Sequence, residues 1–135
     1  MHLLPQPKCL KRLGGFWRLP ERGCIAAGDD LLAAEGLRAC LPGWNLTRIL
    51  KGQRLSGAIS LVQDPGFKAG PEGYRLRIAT QGAEIRAREP RGICYGAQTL
   101  IQILKQHPKA LPCLRIDDEP DFPHRGQLYS LAQGR

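Results

Sequence analysis

The sequence lacks the features that mark several large classes of protein. No apolar run approaches the roughly 20 residues that a membrane-spanning helix needs, and no apolar leader follows the first methionine. No two cysteines are spaced as Cys-x-x-Cys and no His-Glu-x-x-His occurs, so zinc and thioredoxin-like sites have no support. We therefore predict no metal, no cofactor and no membrane partner.

The charge is positive but dispersed. Twenty Lys and Arg against twelve Asp and Glu give a formal net charge of +8 at pH 7. Such a balance is found in proteins that bind nucleic acid, in solvated surfaces, and in faces that dock on an acidic neighbouring domain. The basic residues form no block and no helix stripe, so we predict surface charge and no nucleic-acid partner. Nucleic-acid binding would be favoured instead if Arg75, Arg77, Arg86 and Arg88 clustered with aromatic side chains on one exposed face.

The cysteines cannot all pair within the chain, because there are five of them. We expect every one to be a free thiol, which is typical of a reducing compartment and favours a cytoplasmic location. The five are Cys9, Cys24, Cys40, Cys94 and Cys113.

The 135 residues suffice for one domain with a buried core. The order of the predicted elements is strands, helix, strands, helix, strand, which indicates the α+β class. Residues 44–57 match neither the hydrophobic period of a helix nor that of a strand, so their structure stays ambiguous. Strands are predicted at 8–13, 16–19, 24–27, 58–62, 74–78 and 83–87 and from Leu114, and helices at 31–41 and 91–106.

The clearest hairpin joins residues 74–78 to 83–87, where apolar and charged side chains alternate. This alternation predicts a sheet with one wet face and one face covered by helices. The helix over 91–106 should cover four of the side chains and leave three arginines exposed: Tyr74, Leu76, Ile78 and Ile85 inside, and Arg75, Arg77 and Arg86 outside.

The predicted helix at 91–106 carries two glycines. Pro90 suits its first turn, where the missing N–H costs nothing. Gly92 and Gly96 are not followed by the Lys-Ser or Lys-Thr of a phosphate loop, so we predict that they let the helix pack closely on the sheet. One apolar stripe runs along it: Ile93, Ala97, Leu100, Ile101 and Leu104.

Two runs, residues 90–104 and 114–126, resemble the helper domain that precedes the catalytic barrel in glycoside hydrolase family 20, the β-N-acetylhexosaminidases. In that family a helix of the form Pro-x-Gly-x-x-Tyr-Gly-x-Gln-Thr-Leu leads through a strand and an Asp-x-Pro-x-Phe-x-x-Arg-Gly connector into the first barrel strand. The opening at residues 4–8, with Gly14 and Gly15 after it, resembles the start of the same domain.

The resemblance implies a mostly antiparallel sheet with two helices packed on one face. It divides the chain into a non-catalytic helper domain, 1–121, and a connector with the start of a catalytic barrel, 122–135. The partners implied are the barrel of the same polypeptide and a glycan that contains N-acetylhexosamine. Family members are often exported, which leaves open an exported protein whose leader has been removed.

The resemblance also implies the chemistry of the parent enzyme. Family 20 enzymes hydrolyse terminal N-acetylhexosamine with retention, and the substrate's own 2-acetamido oxygen attacks the anomeric carbon. An Asp orients that group and an adjacent Glu is the general acid; both lie in the barrel, outside these residues. We therefore expect no catalytic residue here.

Arg125 is the one candidate substrate-binding residue. In the family the corresponding Arg opens the first barrel strand and holds hydroxyls of the terminal sugar, a role that its planar fork suits. The simpler interpretation is a connector arginine paired with Asp118 or Asp121. The chain stops nine residues after Gly126, as an apolar stretch begins, so we expect that the sequence was cut where another domain starts.

Asp117, Asp118 and Glu119 form the only tight carboxylate cluster. The resemblance places it on the connector, so we interpret it as a solvated or salt-bridged turn rather than a catalytic pair. Trp17 and Trp44 could form a sugar platform, but they are far apart in sequence and are predicted to be core or edge residues.

Several alternatives stay open. The family continues Arg-Gly-x-x-x-Asp-x-x-Arg, whereas this chain has Ser130 and Gln133 at the last two motif positions. The parent could be a diverged hexosaminidase, an inactive homologue, or a different glycosidase with the same helper domain. A free-standing carbohydrate- or protein-binding module is the other class.

Overall fold

The computed structural model describes residues 3, 7, 9–28, 31–48 and 56–119. This part of the chain forms one seven-stranded sheet and two helices, which confirms the α+β class. In chain order the elements are β1 (Cys9–Arg18), β2 (Cys24–Ala27), α1 (Leu31–Ala39), β3 (Asn45–Arg48), β4 (Ile59–Gln63), β5 (Tyr74–Ala79), β6 (Gly82–Ala87), α2 (Pro90–Gln106) and β7 (Ala110–Asp118).

The strands lie in the order β1-β7-β5-β6-β4-β2-β3. The longer strands β1, β7, β5 and β6 pair antiparallel, and the shorter strands β4, β2 and β3 continue the sheet in parallel from β6. Strands β2 and β3 are parallel neighbours joined through α1, because a parallel pair needs a crossover connection. Helix α2 contacts β4, β5, β6 and α1, while α1 contacts β2 and β3. Both helices therefore cover the same face, as predicted.

Three elements differ from the sequence prediction. The last strand, β7, begins at Ala110 rather than at Leu114. Strand β3 lies within residues 44–57, for which the sequence predicts no element. Its four residues are half-buried or exposed and show no alternation, so the strand pattern is missing there. The strands predicted on either side of Gly14 and Gly15 are one strand, β1. Both glycines have a positive φ, 85° and 84°, and the register with β7 shifts between Arg12 and Phe16. The glycine pair therefore bends the strand without ending it.

The two tryptophans meet in the core. Trp17 lies at the end of β1 and Trp44 directly precedes β3, on the opposite edge of the sheet. Their ring centroids are 6.3 Å apart and the rings meet edge to face at 76°. They are 4% and 3% exposed, which confirms the prediction of core residues and leaves no sugar platform there.

The predicted register of the hairpin is confirmed. The four side chains expected under α2 are buried, and Arg77 is exposed. Arg75 and Arg86 are half-covered rather than open, because ion pairs hold them against the sheet. The apolar stripe predicted along α2 is buried except at Ile101, which is half-buried. Ile103, which the predicted stripe did not include, is fully buried.

The close packing predicted for Gly92 and Gly96 is present. A Cβ at Gly96 would lie 2.5 Å from Ile85 Cγ2 and 3.0 Å from the Tyr74 ring. A Cβ at Gly92 would overlap the carbonyl oxygen of Gly73. The two glycines thus let the backbone of α2 rest directly on β5, β6 and the loop before β5.

We expect Gly96→Ala to lower the free energy of unfolding by about 1–3 kcal/mol, because the new methyl group overpacks the contact with Ile85 and Tyr74. The matched control is Gly36→Ala in α1, where the nearest side-chain atom would be 3.9 Å away. Better helix propensity should make that variant more stable by about 0.5–1 kcal/mol. Urea unfolding followed by circular dichroism measures both, and equal stabilisation by the two substitutions would contradict the packing.

All five cysteines are free thiols. Cys9 is exposed and Cys113 is buried. Burial raises the pKa of the Cys113 thiol, and the positive charge of Arg77 offsets part of that rise. Neither described helix is long and apolar enough to cross a membrane.

In the folded protein, Cys9 should react first with an aromatic disulfide and Cys113 last, because the thiolate of a buried thiol with a raised pKa is scarce. Arg77→Gln should slow Cys113 further, and Arg12→Gln should not. Mass spectrometry of time points gives the order, and denaturant without reductant should expose all five thiols. Finding only one reactive thiol in denaturant would mean two disulfides.

Candidate functional site

The carboxylate cluster lies at the end of β7. This strand is hydrogen-bonded on both sides, to β1 and to β5. Asp117 is opposite Cys9 on one side and Arg75 on the other, and Asp118 is opposite Tyr74. The cluster therefore lies at the C-terminal end of β7, a strand that β1 and β5 hold in place on either side.

Asp117 is bound by two arginines. Arg75 Nε donates to Oδ1 at 2.7 Å, and Arg115 Nε donates to Oδ2 at 2.6 Å. Burial alone would raise the pKa of the Asp117 carboxyl, but the hydrogen bonds and charges of the two arginines outweigh it and lower that pKa. A carboxylate held ionised in this way is a poor proton donor at neutral pH.

Arg75 and Arg86 fix the loop between β4 and β5, residues 64–73. The Arg75 guanidinium lies over the Phe67 ring, 5.5 Å from its centroid. Arg86 donates from Nε to Glu84 at 2.7 Å and from Nη1 to Asp64 at 2.8 Å. The loop and β7 enclose an open groove of about 300 Å³.

The other two carboxylates differ in exposure: Asp118 is half-buried and Glu119 is exposed. The Glu119 carboxylate lies against Gly70, where a Cβ would overlap it. Asp118 is close enough to influence Tyr74, whose hydroxyl hydrogen-bonds with Thr99 Oγ1 at 2.7 Å. Burial raises the pKa of Tyr74 to about 12, the hydrogen bond to Thr99 opposes that rise, and the charge of Asp118 adds to it. Within the cluster, Asp117 ties β7 to β5 through Arg75, and Glu119 lies against the loop before β5.

The described ranges contain no group of three or more His, Cys, Asp or Glu side chains placed to hold a metal ion. The nucleic-acid alternative would be favoured by clustering of Arg75, Arg77, Arg86 and Arg88 with aromatic side chains on one exposed face. Arg75, Arg77 and Arg86 share the open face, Arg75 and Arg86 are paired with carboxylates, and the Arg75 guanidinium lies over the Phe67 ring. The absence of a nucleic-acid partner stays a prediction.

Arg125, Ser130 and Gln133 lie outside the described residues, as does the predicted boundary between 121 and 122. The structure brings Asp117 together with Arg75, Arg115 and Phe67, none of which the sequence alone marked as a partner. The alternation placed Arg75 on the polar face of its strand, whereas Asp117, expected in a turn, lies within β7, and their contact depends on the register between β5 and β7. Only the folded sheet supplies that register.

The fold is an α+β domain, and in its carboxylate cluster Asp117 is bound by two arginines. The family model described as glycosyl hydrolase family 20, domain 2, matches residues 1–119. The chain belongs to this domain family.

Relatives and solved structures agree with that assignment. The chain is 31% identical to a lacto-N-biosidase of Bifidobacterium bifidum, over 88% of this chain and 11% of the relative. It is 35% identical to a beta-hexosaminidase of Porphyromonas gingivalis, over 98% of this chain and 19% of the relative. An N-acetyl-beta-hexosaminidase of Streptomyces plicatus superposes with a TM-score of 0.73 at 26% identity, over 88% of this chain and 26% of that chain. The chain therefore spans less than a fifth of these two curated relatives.

We expect Asp117→Asn to lower the free energy of unfolding at pH 7 by about 1 kcal/mol, as for a partly exposed ion pair. Because the folded-state pKa of Asp117 lies below its unfolded value, the carboxylate stabilises the fold above about pH 4. That contribution disappears as the pH falls through the folded pKa, so wild type and variant should converge in acid. Urea unfolding across pH 2–7 measures the difference. The control is Glu35→Gln, at an exposed position of α1, which should change the free energy of unfolding by less than about 0.5 kcal/mol. A difference between wild type and Asp117→Asn that persists in acid would contradict the ion-pair account.

Proposed function

We propose that the chain is a non-catalytic domain of a glycoside hydrolase that removes terminal N-acetylhexosamine from glycans, and that it supports the catalytic barrel. Membership of the family 20 domain 2 supports the enzyme class. The observation that carries the non-catalytic role is the state of Asp117: both of its oxygens are occupied by arginines. Its partners are then the barrel of the same polypeptide and, through the barrel, the glycan, rather than nucleic acid or a membrane.

The support acts through the end of β7. Both neighbours of this strand hold it up to Asp117 and Asp118, and the two arginines hold the Asp117 side chain. The last residues of β7 are thus held in place, and in this proposal the first barrel strand is positioned from them. We place the domain boundary at 121, so that residues 122–135 are the connector and the start of the barrel.

In this proposal Arg125 holds hydroxyl groups of the terminal sugar once the barrel is complete. Its guanidinium offers two parallel N–H donors, which suit two adjacent hydroxyls. The reaction is the substrate-assisted one: the 2-acetamido oxygen attacks the anomeric carbon, and the bond to the leaving oxygen breaks as that oxygen takes a proton from a Glu of the barrel. This domain contributes the position of the first barrel strand.

We expect chain 1–135 by itself not to hydrolyse an aryl N-acetyl-β-glucosaminide, because two arginines hold Asp117 ionised and the proposed general acid is a Glu of the barrel. Released phenol is measured by absorbance on highly purified protein. Turnover that disappears in Asp118→Asn or Glu119→Gln would overturn the non-catalytic role.

The supporting role is tested in the polypeptide that contains both this domain and the barrel. Gly96→Ala should lower the temperature at which activity is lost while leaving kcat/KM at low temperature nearly unchanged. Gly36→Ala should not lower that temperature and should also leave kcat/KM unchanged. A loss of about tenfold or more in kcat with unchanged thermal stability would indicate direct participation in the chemistry. Hydrolysis of a different glycoside would assign the domain to another glycosidase, and no hydrolysis with tight sugar binding would favour a binding module.

A further inference from the structure

A second depression lies on the open face of the sheet, away from both helices. It has a volume of about 280 Å³ and lies beside the turn that joins β5 to β6. Polar side chains line most of it: Ser56, Ser60, Arg77, Gln81 and Glu84. Nothing in the helper role requires this site.

Three basic residues lie in a row across β1, β7 and β5, and the last of them, Arg77, lines the depression. Lys11 on β1 is directly opposite Arg115 on β7, and Arg115 is directly opposite Arg77 on β5. Residues directly opposite in antiparallel strands share a face, with Cβ atoms about 4.5–5.5 Å apart. Like charges in such positions destabilise a sheet, so this row is unfavourable unless something negative lies near it.

The carboxylates of this face do not neutralise the row at Arg77. Asp117 pairs with Arg75 and Arg115, one row away. Glu84 is directly opposite Arg77, but its Oε2 pairs with Arg86. Among the described residues, neither Arg77 nor Lys11 has a carboxylate within ion-pairing distance. Arg77 therefore offers its guanidinium at the wall of a polar depression.

We propose that this depression binds an acidic sugar, whose carboxylate or sulfate group accepts hydrogen bonds from Arg77. The hydroxyl of Ser56 and the amide of Gln81 are placed at the same depression to bind ring hydroxyls. Lys11 adds positive potential, Arg115 is compensated by Asp117, and the Glu84 carboxylate, which lines the same depression, favours a singly charged group over a dianion. The choice of a sugar rests on the proposed function, whereas the choice of an anion rests on the cation row alone.

The experiment is a titration of chain 1–135 by two-dimensional NMR at low salt. The probes are glucuronic acid, N-acetylglucosamine 6-sulfate, uncharged N-acetylglucosamine and inorganic sulfate. We expect at least one acidic sugar to bind with a millimolar or lower Kd, and the two acids to show whether carboxylate or sulfate is preferred. Uncharged sugar and inorganic sulfate should bind about tenfold more weakly, and added salt should weaken the acidic sugar further.

Two variants locate the site. Arg77→Gln should weaken the acidic sugar about tenfold or more, and Arg77→Lys should have a smaller effect because it keeps the charge and loses the fork. The control is Arg12→Gln, which removes the same charge from β1 at a position opposite the core residue Leu114, on the other face. It should leave the affinity unchanged, and thermal unfolding checks that each variant folds.

Four outcomes would overturn the proposal. They are no binding of either acid, equal binding of uncharged N-acetylglucosamine, equal binding of inorganic sulfate, and equal weakening by Arg12→Gln. None of these bears on hydrolysis by the barrel-containing polypeptide, which its own assay tests.

Discussion

The contact of α2 with the centre of the sheet is the constraint on which the rest of this domain depends. Gly92 and Gly96 leave no side chain between the helix backbone and β5 and β6, so the helix lies close enough for Ile93, Leu100 and Ile103 to be fully buried. Each such side chain contributes about 1.5–3 kcal/mol when it is buried. The hydrogen bond between Tyr74 and Thr99 satisfies the polar group that this contact would otherwise bury unpaired. The position of α2 in turn sets where β5 and β6 present their opposite face.

That opposite face is organised by charge. Arg75 and Arg115 pair with Asp117, which fixes the end of β7. Arg86 pairs with Glu84 and Asp64, which fixes the loop before β5. Arg77, between them, is left at the wall of the polar depression. The two faces of the sheet thus have different roles. The helix-covered face provides stability, and the open face carries the ion pairs at the end of β7 together with a candidate anion site.

The local patterns predicted much of this fold. Strict alternation in residues 74–78 and 83–87 predicted the hairpin and its inward face, because the side-chain period of a strand allows only one register with all apolar groups inside. The helix period predicted α2, and Pro90 its first turn. Strand β3 was missed because it is short and half-exposed, and β1 was divided because a glycine pair usually marks a turn. Arg75 and Arg86 were expected to be open because alternation reports the face of a side chain and says nothing of its ion-pair partners.

The sequence by itself determined the class, the helices, the central hairpin and the close packing at Gly92 and Gly96, since each depends on neighbours within a few residues along the chain. Its motifs also carried the resemblance to family 20 that the domain match confirms. Only the tertiary structure decided which strands are adjacent. The placement of β7 between β1 and β5 brings Asp117 to Arg75 and sets Lys11, Arg115 and Arg77 in one row. These contacts join residues that are distant in sequence, and strand order and register, which no local pattern encodes, determine whether such residues attract, repel or never meet.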